Sequence, residues 1–309
     1  MSDRSALTEF SPTAAEARHF GRSTLLSDCW ALTKPEVNFL ILITTFVGFY
    51  LASARDGRFS FAGLFNTLLG TLLVASGTGS LNQYLERKFD AQMSRTARRP
   101  AAAGRLRPSV VLAFGTALAG TGSIYLATAV NLLASMLATL TLLTYLFVYT
   151  PLKRRTPLCT LVGAFPGAMP PLIGWAAASG NLTLQAWTLY GLLFLWQFPH
   201  FMAIAWMYRQ DYDRAGYFIL PHDGSARTRF VNCQTLLPLL ALAPLSLVAG
   251  WAGASRTFYW IGALFLSFGF LYYGMQFVLY KSGSAARRLL AASIIYLPLL
   301  FVLIVVPRG

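Results

Sequence analysis

Apolar residues in this chain run on for far longer than a helix face or a strand of a globular core requires. The stretches 38–52, 110–127 and 289–307 are almost without charge, and polar residues gather between such runs instead of alternating within them. With their flanks, these runs reach the roughly 17–25 residues that a helix needs to cross a bilayer. The pattern predicts nine spans, near 36–54, 61–85, 109–128, 131–150, 158–178, 184–206, 233–254, 257–280 and 288–307. No stretch is left for a second soluble domain. The expected architecture is an all-α integral membrane protein, with a cytoplasmic tail over residues 1–33 and a nine-helix domain over 34–309.

Composition agrees: 56% of residues are hydrophobic and 12% charged, against roughly 25% charged in soluble domains. The net charge of +14 is of the size that nucleic-acid binding produces, but its distribution excludes that reading. When the loops are assigned alternately to two sides, one side carries 21 of the 25 Lys and Arg, and Arg55, Arg58, Arg256 and Arg308 are left on the other. The positive-inside rule then places the N-terminus in the cytoplasm and the C-terminus outside. The first 30 residues are polar and include Asp3, Glu9, Glu16 and Asp28, unlike a cleaved signal or an acid-poor transit peptide. The first span is therefore the expected insertion signal. Cys29, Cys159 and Cys233 have no metal-ligand spacing and read as small apolar or incidental residues.

The eleven acidic residues are more informative. Five of them, Glu86, Asp90, Asp211, Asp213 and Asp223, fall at the cytoplasmic ends of the second and sixth spans or in the loops that follow. Ionisable groups are costly near lipid, so at such places they read as functional by default. Asn82, Glu86 and Asp90 follow at i, i+4 and i+8 in the segment NQYLERKFD, which stacks them on one helix face. An amide and two carboxylates on one stripe suit Mg²⁺, which takes oxygen ligands and fills its octahedron with water or phosphate. Arg95, Arg98 and Arg99 follow closely and can grip phosphate oxygens. The competing reading is a solvated helix end with i,i+4 ion pairs. Residues 208–216 (YRQDYDRAG) hold Asp211 and Asp213, about 200° apart on an ideal helix, so they cannot both face one metal while it stays helical. Asp211 is the favoured of the two, and Gly216 marks a nearby helix end. Tyr149 and Lys153, four apart after the fourth span, can present a hydroxyl and an ammonium to one phosphate, or simply anchor the span.

Together these segments resemble the UbiA-type intramembrane prenyltransferases, and within them the branch that farnesylates protohaem. The resemblance rests on residues 82–90 and 98–106 (RRPAAAGRL), 149–155 (YTPLKRR), 163–175 (GAFPGAMPPLIGW), 195–201 (LWQFPHF) and 205–216. It is clear over roughly residues 30–225, while the last three spans agree in number and character. Gln210 departs from the pattern, since many relatives carry an acid there.

The resemblance implies nine helices round a central cavity and a Mg²⁺-bound allylic diphosphate under a cytoplasmic cap. By motif, Asn82, Glu86, Asp90 and Asp211 would bind Mg²⁺–diphosphate. Arg95, Arg99, Tyr149, Lys153 and Lys34 would hold the phosphates, with Arg209 and His200 completing the substrate-binding set. His200, flanked by Phe198, Pro199 and Phe201, reads equally as a haem contact or as a histidine hydrogen-bonded within the bundle. The implied reaction moves the farnesyl group of farnesyl diphosphate to the vinyl group of haem B, giving haem O in a bacterial inner membrane. The implied partners are membrane lipid and a haem A synthase or terminal-oxidase assembly pathway. Prenylation of a hydroxybenzoate- or chlorophyllide-type acceptor is the nearest alternative. A transporter or non-catalytic oxidase assembly factor is the reading from another class, and it is opposed by the lack of carboxylates in the middles of the spans.

Overall fold

The computed structural model of the chain describes residues 24–249 and 256–305. Among them, nine helices are long and apolar enough to cross a membrane: Pro35–Asp56, Phe61–Asp90, Pro108–Ala129, Leu132–Leu152, Cys159–Ser179, Leu184–Met207, Gly224–Ala249, Thr257–Tyr280 and Gly283–Val305. They are numbered below as the first to ninth spans. All regular structure among the described residues is helical. Arg4, Arg18, Arg22, Arg308, Asp3, Glu9, Glu16 and most of the expected tail, including the reading of its first residues as uncleaved, lie outside the described residues.

Local chemistry explains where the elements depart from expectation. The second span runs on to Asp90 and so holds Asn82, Glu86 and Asp90 inside one helix. The seventh begins at Gly224 and not near 233, because Asp223 caps it: its carboxylate accepts from the Ala226 amide at 3.0 Å and from the Ser225 hydroxyl at 2.7 Å. Residues 25–32, counted with the tail, form a short helix, Leu25–Leu32, whose N-cap is Thr24. Gln83 of the second span donates to its last carbonyls, Ala31 and Leu32, at 3.2 Å each. Arg105 fastens Asp28 at 2.8 Å.

Two spans are irregular. The fourth contains a π-helical segment, Thr144–Tyr149, just before Pro151. A proline there would clash with the carbonyl four residues back in an α-helix, and the wider turn relieves it. The fifth is two helices, Cys159–Gly167 and Pro170–Ser179, broken where Pro170 and Pro171 deny the backbone two donors.

Small residues set the packing. The second span lies against the third, where a Cβ on Gly77 would sit 2.5 Å from the Ala119 amide nitrogen. The first lies against the second half of the fifth, where a Cβ on Gly174 would meet the Thr45 carbonyl oxygen at 1.9 Å. Such close backbone approach is the usual device of helices in lipid, where apolar burial alone drives little association. The sixth span contacts the seventh and ninth, and the Trp196 indole donates to the Ser293 carbonyl at 2.8 Å.

Candidate active site

Asn82, Glu86 and Asp90 line the inner face of the second span and are all buried, at 1%, 5% and 3% exposure. Each finds a partner from another part of the chain or from the following loop. Asn82 accepts from the Lys34 ammonium at 2.8 Å and donates to Glu86 at 2.9 Å. Glu86 takes the Lys153 ammonium on both oxygens, at 2.9 and 3.2 Å. Asp90 pairs with Arg99 at 2.8 Å. Asp211, on the short helix Arg209–Arg214, accepts from the Ser94 hydroxyl and lies 3.3 Å from Arg214. Thus the loops after the second, fourth and sixth spans meet at one end of the bundle. Among the described residues, no three His, Cys, Asp or Glu side chains form a ready-made cage. Each of these carboxylates is instead satisfied by a cation or a hydroxyl.

Lys34 reaches this place through an unusual backbone. It sits between Thr33 and Pro35 with φ 54° and ψ 61°. Proline disfavours the right-handed helical region for the residue before it, and a non-glycine residue in the left-handed region costs roughly 1–2 kcal/mol. That turn sends the lysine towards Asn82, a neutral partner, and among the described residues no carboxylate pairs with it. Burial and then the neighbouring Arg99 bring its ammonium down to about 7. For Lys153 burial also acts downward, but the Glu86 carboxylate overrides it and the net direction is well upward.

The π-helical segment puts Tyr145 and Tyr149 side by side, ring centroids 5.1 Å apart, with the Lys153 ammonium 4.6 Å from the Tyr149 ring. The Tyr149 ring leans on Gly163, where a Cβ would come within 2.6 Å of it. Arg95 is exposed, 5.2 Å from the Tyr208 ring and 3.5 Å from the Tyr212 hydroxyl.

Other expected residues are placed elsewhere. Asp213 is turned away, 3.9 Å from His222 and 3.8 Å from Arg227. Arg209 donates to the Trp206 carbonyl at 2.8 Å and stacks on its ring. His200, two turns deeper in the sixth span, bonds Ser293 at 2.8 Å and stacks on Trp196, centroids 4.7 Å apart. Gln210 is exposed. Tyr217 was not foreseen. Gly216, at φ 72°, reverses the chain after the short helix, and the Phe218 amide then binds the Lys153 carbonyl at 2.7 Å. This brings the buried Tyr217 hydroxyl beside Glu86, where burial and then the Glu86 charge raise the phenol well above its ordinary value.

An all-helical membrane bundle that gathers carboxylates, an amide and basic residues at one end defines a class. The chain belongs to the UbiA prenyltransferase family, whose sequence pattern it matches over residues 41–301. Its relatives narrow this further. It is 45% identical to the protoheme IX farnesyltransferase of Solibacter usitatus, covering 92% of this chain and 99% of the relative. To that of Salinibacter ruber it is 42% identical, covering 91% and 99%. Solved structures share the fold. A digeranylgeranylglyceryl phosphate synthase structure superposes with a TM-score of 0.72 at 16% identity, covering 91% of this chain and 97% of the other. An Archaeoglobus fulgidus UbiA homologue bound to GPP and Mg²⁺ gives 0.62 at 13% identity, covering 91% and 100%.

Proposed function

We infer that this chain transfers the farnesyl group of farnesyl diphosphate to the vinyl group of haem B, forming haem O and releasing diphosphate. The observation that carries the reading is identity of 45% and 42%, over more than nine-tenths of the chain, with proteins named protoheme IX farnesyltransferase.

The donor set fits Mg²⁺: Asn82, Glu86, Asp90 and Asp211 offer an amide and three carboxylates, the hard oxygen donors this ion takes. These four are the proposed metal–diphosphate ligands, on the analogy of the homologue that binds GPP and Mg²⁺. When bound there, Mg²⁺ supplies a Lewis acid for the charge that develops on the leaving group. Lys34, Lys153, Arg99, Arg95 and Tyr149 are proposed to hold the phosphates. Lys34 is the most telling of them, a part-buried cation whose side chain bonds only an amide among the described residues. Its position next to the carboxylate stripe suits an incoming anion. The bond from farnesyl C1 to the diphosphate oxygen breaks, and its electron pair leaves with the diphosphate. The allylic carbon then joins the terminal vinyl carbon of haem B. Water adds at the carbon next to the ring and loses a proton, which leaves the hydroxyl group.

His200 is proposed on the acceptor side, since it lies in the span and away from the charged cluster. Arg209 gives one donor to the Trp206 carbonyl and stacks on its ring, which leaves further N–H donors for its proposed place in the substrate-binding set. The charged end is proposed to face the cytoplasm of a bacterial inner membrane, with product passing to a haem A synthase or oxidase assembly pathway.

The test is to incubate purified protein with haem B, farnesyl diphosphate and Mg²⁺ and to analyse the haems by mass spectrometry. A farnesylated, hydrated haem that disappears with EDTA is the expected result. Diphosphate release without a haem product would make the acceptor wrong. Folded protein that gives neither product would point to an assembly factor.

A further inference from the structure

Tyr217 is 4% exposed, and its hydroxyl is buried without a hydrogen-bond partner of good geometry. The hydroxyl faces the Glu86 carboxylate without closing a hydrogen bond of good geometry to it, a shortfall of about 1–3 kcal/mol for a buried hydroxyl that an oxygen acceptor entering beside Glu86 would recover. The surroundings say which kind. The ring is held edge-on by Phe89, centroids 5.9 Å apart, and by Tyr212 at 6.0 Å. Phe89 belongs to the second span between Glu86 and Asp90, and Tyr212 follows Asp211. The next residue is anchored to the Lys153 backbone. The hydroxyl is thus fixed among the residues proposed to hold the diphosphate, by a turn that depends on the left-handed Gly216.

We propose that Tyr217 is a further diphosphate-binding residue, whose hydroxyl donates a hydrogen bond to an oxygen of the leaving group. This rests on the reading of the charged cluster as the diphosphate site. The phenol keeps its proton throughout: the C1–O bond breaks, the electron pair goes to the diphosphate oxygen, and the hydroxyl stabilises that charge without transferring a proton. The donor is preorganised, because the aromatic contacts on both sides of the ring limit its motion before substrate arrives.

The test compares Tyr217→Phe with the parent protein, using inorganic diphosphate at saturating Mg²⁺ as the calorimetric probe. Phenylalanine keeps both ring contacts, so an unchanged melting temperature in detergent is expected. The dissociation constant for diphosphate should rise about 10- to 100-fold, the usual effect of losing a hydrogen bond to a charged group. The Mg²⁺ concentration at half-saturation should not change. Equal diphosphate affinity in the two proteins would overturn the proposal. So would a shift confined to the Mg²⁺ requirement, which would show the tyrosine acting through Glu86. If the parent protein binds diphosphate but makes no haem product, the acceptor reading fails and the affinity ratio still decides for Tyr217. If the parent does not bind diphosphate at all, both readings fall.

Discussion

A carboxylate as enclosed as Glu86, at 5% exposure, is stable only beside its counter-charge. Removing one partner of a buried pair costs about 3–5 kcal/mol, most of it the penalty of the charge left behind. Lys153→Met should therefore lower the melting temperature and, because the ammonium is also proposed to hold the phosphates, raise the KM for farnesyl diphosphate about tenfold or more. Adding Glu86→Gln removes the orphaned charge. The double variant should recover its melting temperature yet show no turnover, whereas recovered turnover would remove Glu86 from the chemistry. Glu86→Gln alone leaves the Lys153 ammonium without its carboxylate, so it should lower the melting temperature as well as cut kcat/KM by about 100-fold or more. At this scale the stripe Asn82, Glu86 and Asp90 was legible, because a helix converts an i, i+4, i+8 spacing directly into a shared face. Tyr217 was not legible: its reach depends on the positive φ of Gly216 and on a contact with Lys153, and neither leaves a periodic trace. Asp223, grouped with functional acids in the sequence, proves to be a helix cap.

At the scale of elements, close backbone approach carries the testable weight. A Cβ on Gly174 would lie 1.9 Å from the Thr45 carbonyl oxygen, an atom that cannot swing aside, whereas one on Gly120 meets nothing within 4 Å. Gly174→Ala should cost about 1–3 kcal/mol of overpacking strain. Gly120→Ala, in an open stretch of the third span, should be neutral or slightly stabilising. Thermal unfolding of the two in the same detergent separates them, and equal melting temperatures would refute the close packing of the first and fifth spans. Hydropathy revealed the nine spans because lipid demands long apolar runs. It concealed the helix Leu25–Leu32, which has only eight residues and a polar buried side at Asp28. It also concealed the π-helical segment Thr144–Tyr149, which arises from a clash specific to Pro151 and leaves hydrophobicity unchanged. The break in the fifth span has a visible trace, since Pro170 and Pro171 deny the backbone two donors.

For the whole molecule, the meeting of three loops at one end has a consequence for orientation. The ends of the second, fourth and sixth spans lie together, and they carry most of the basic residues between spans. An alkaline phosphatase reporter, active only outside the cytoplasm, should be silent when fused after Arg155 and active when fused after Val305. The opposite pattern would invert the proposed topology.

The Lys153–Glu86 pair also bears on how the protein is made. Its partners are 67 residues apart, whereas Arg99 follows Asp90 by nine. At roughly 5–20 residues per second of synthesis, Asp90 is neutralised about a second after it is made, but Glu86 waits roughly 3–13 s for its lysine. During that interval Glu86 has only Asn82 and the charge of Lys34 to offset it from the chain already made. The order of translation thus leaves the Glu86 pair incomplete until the whole of the fourth span has been made.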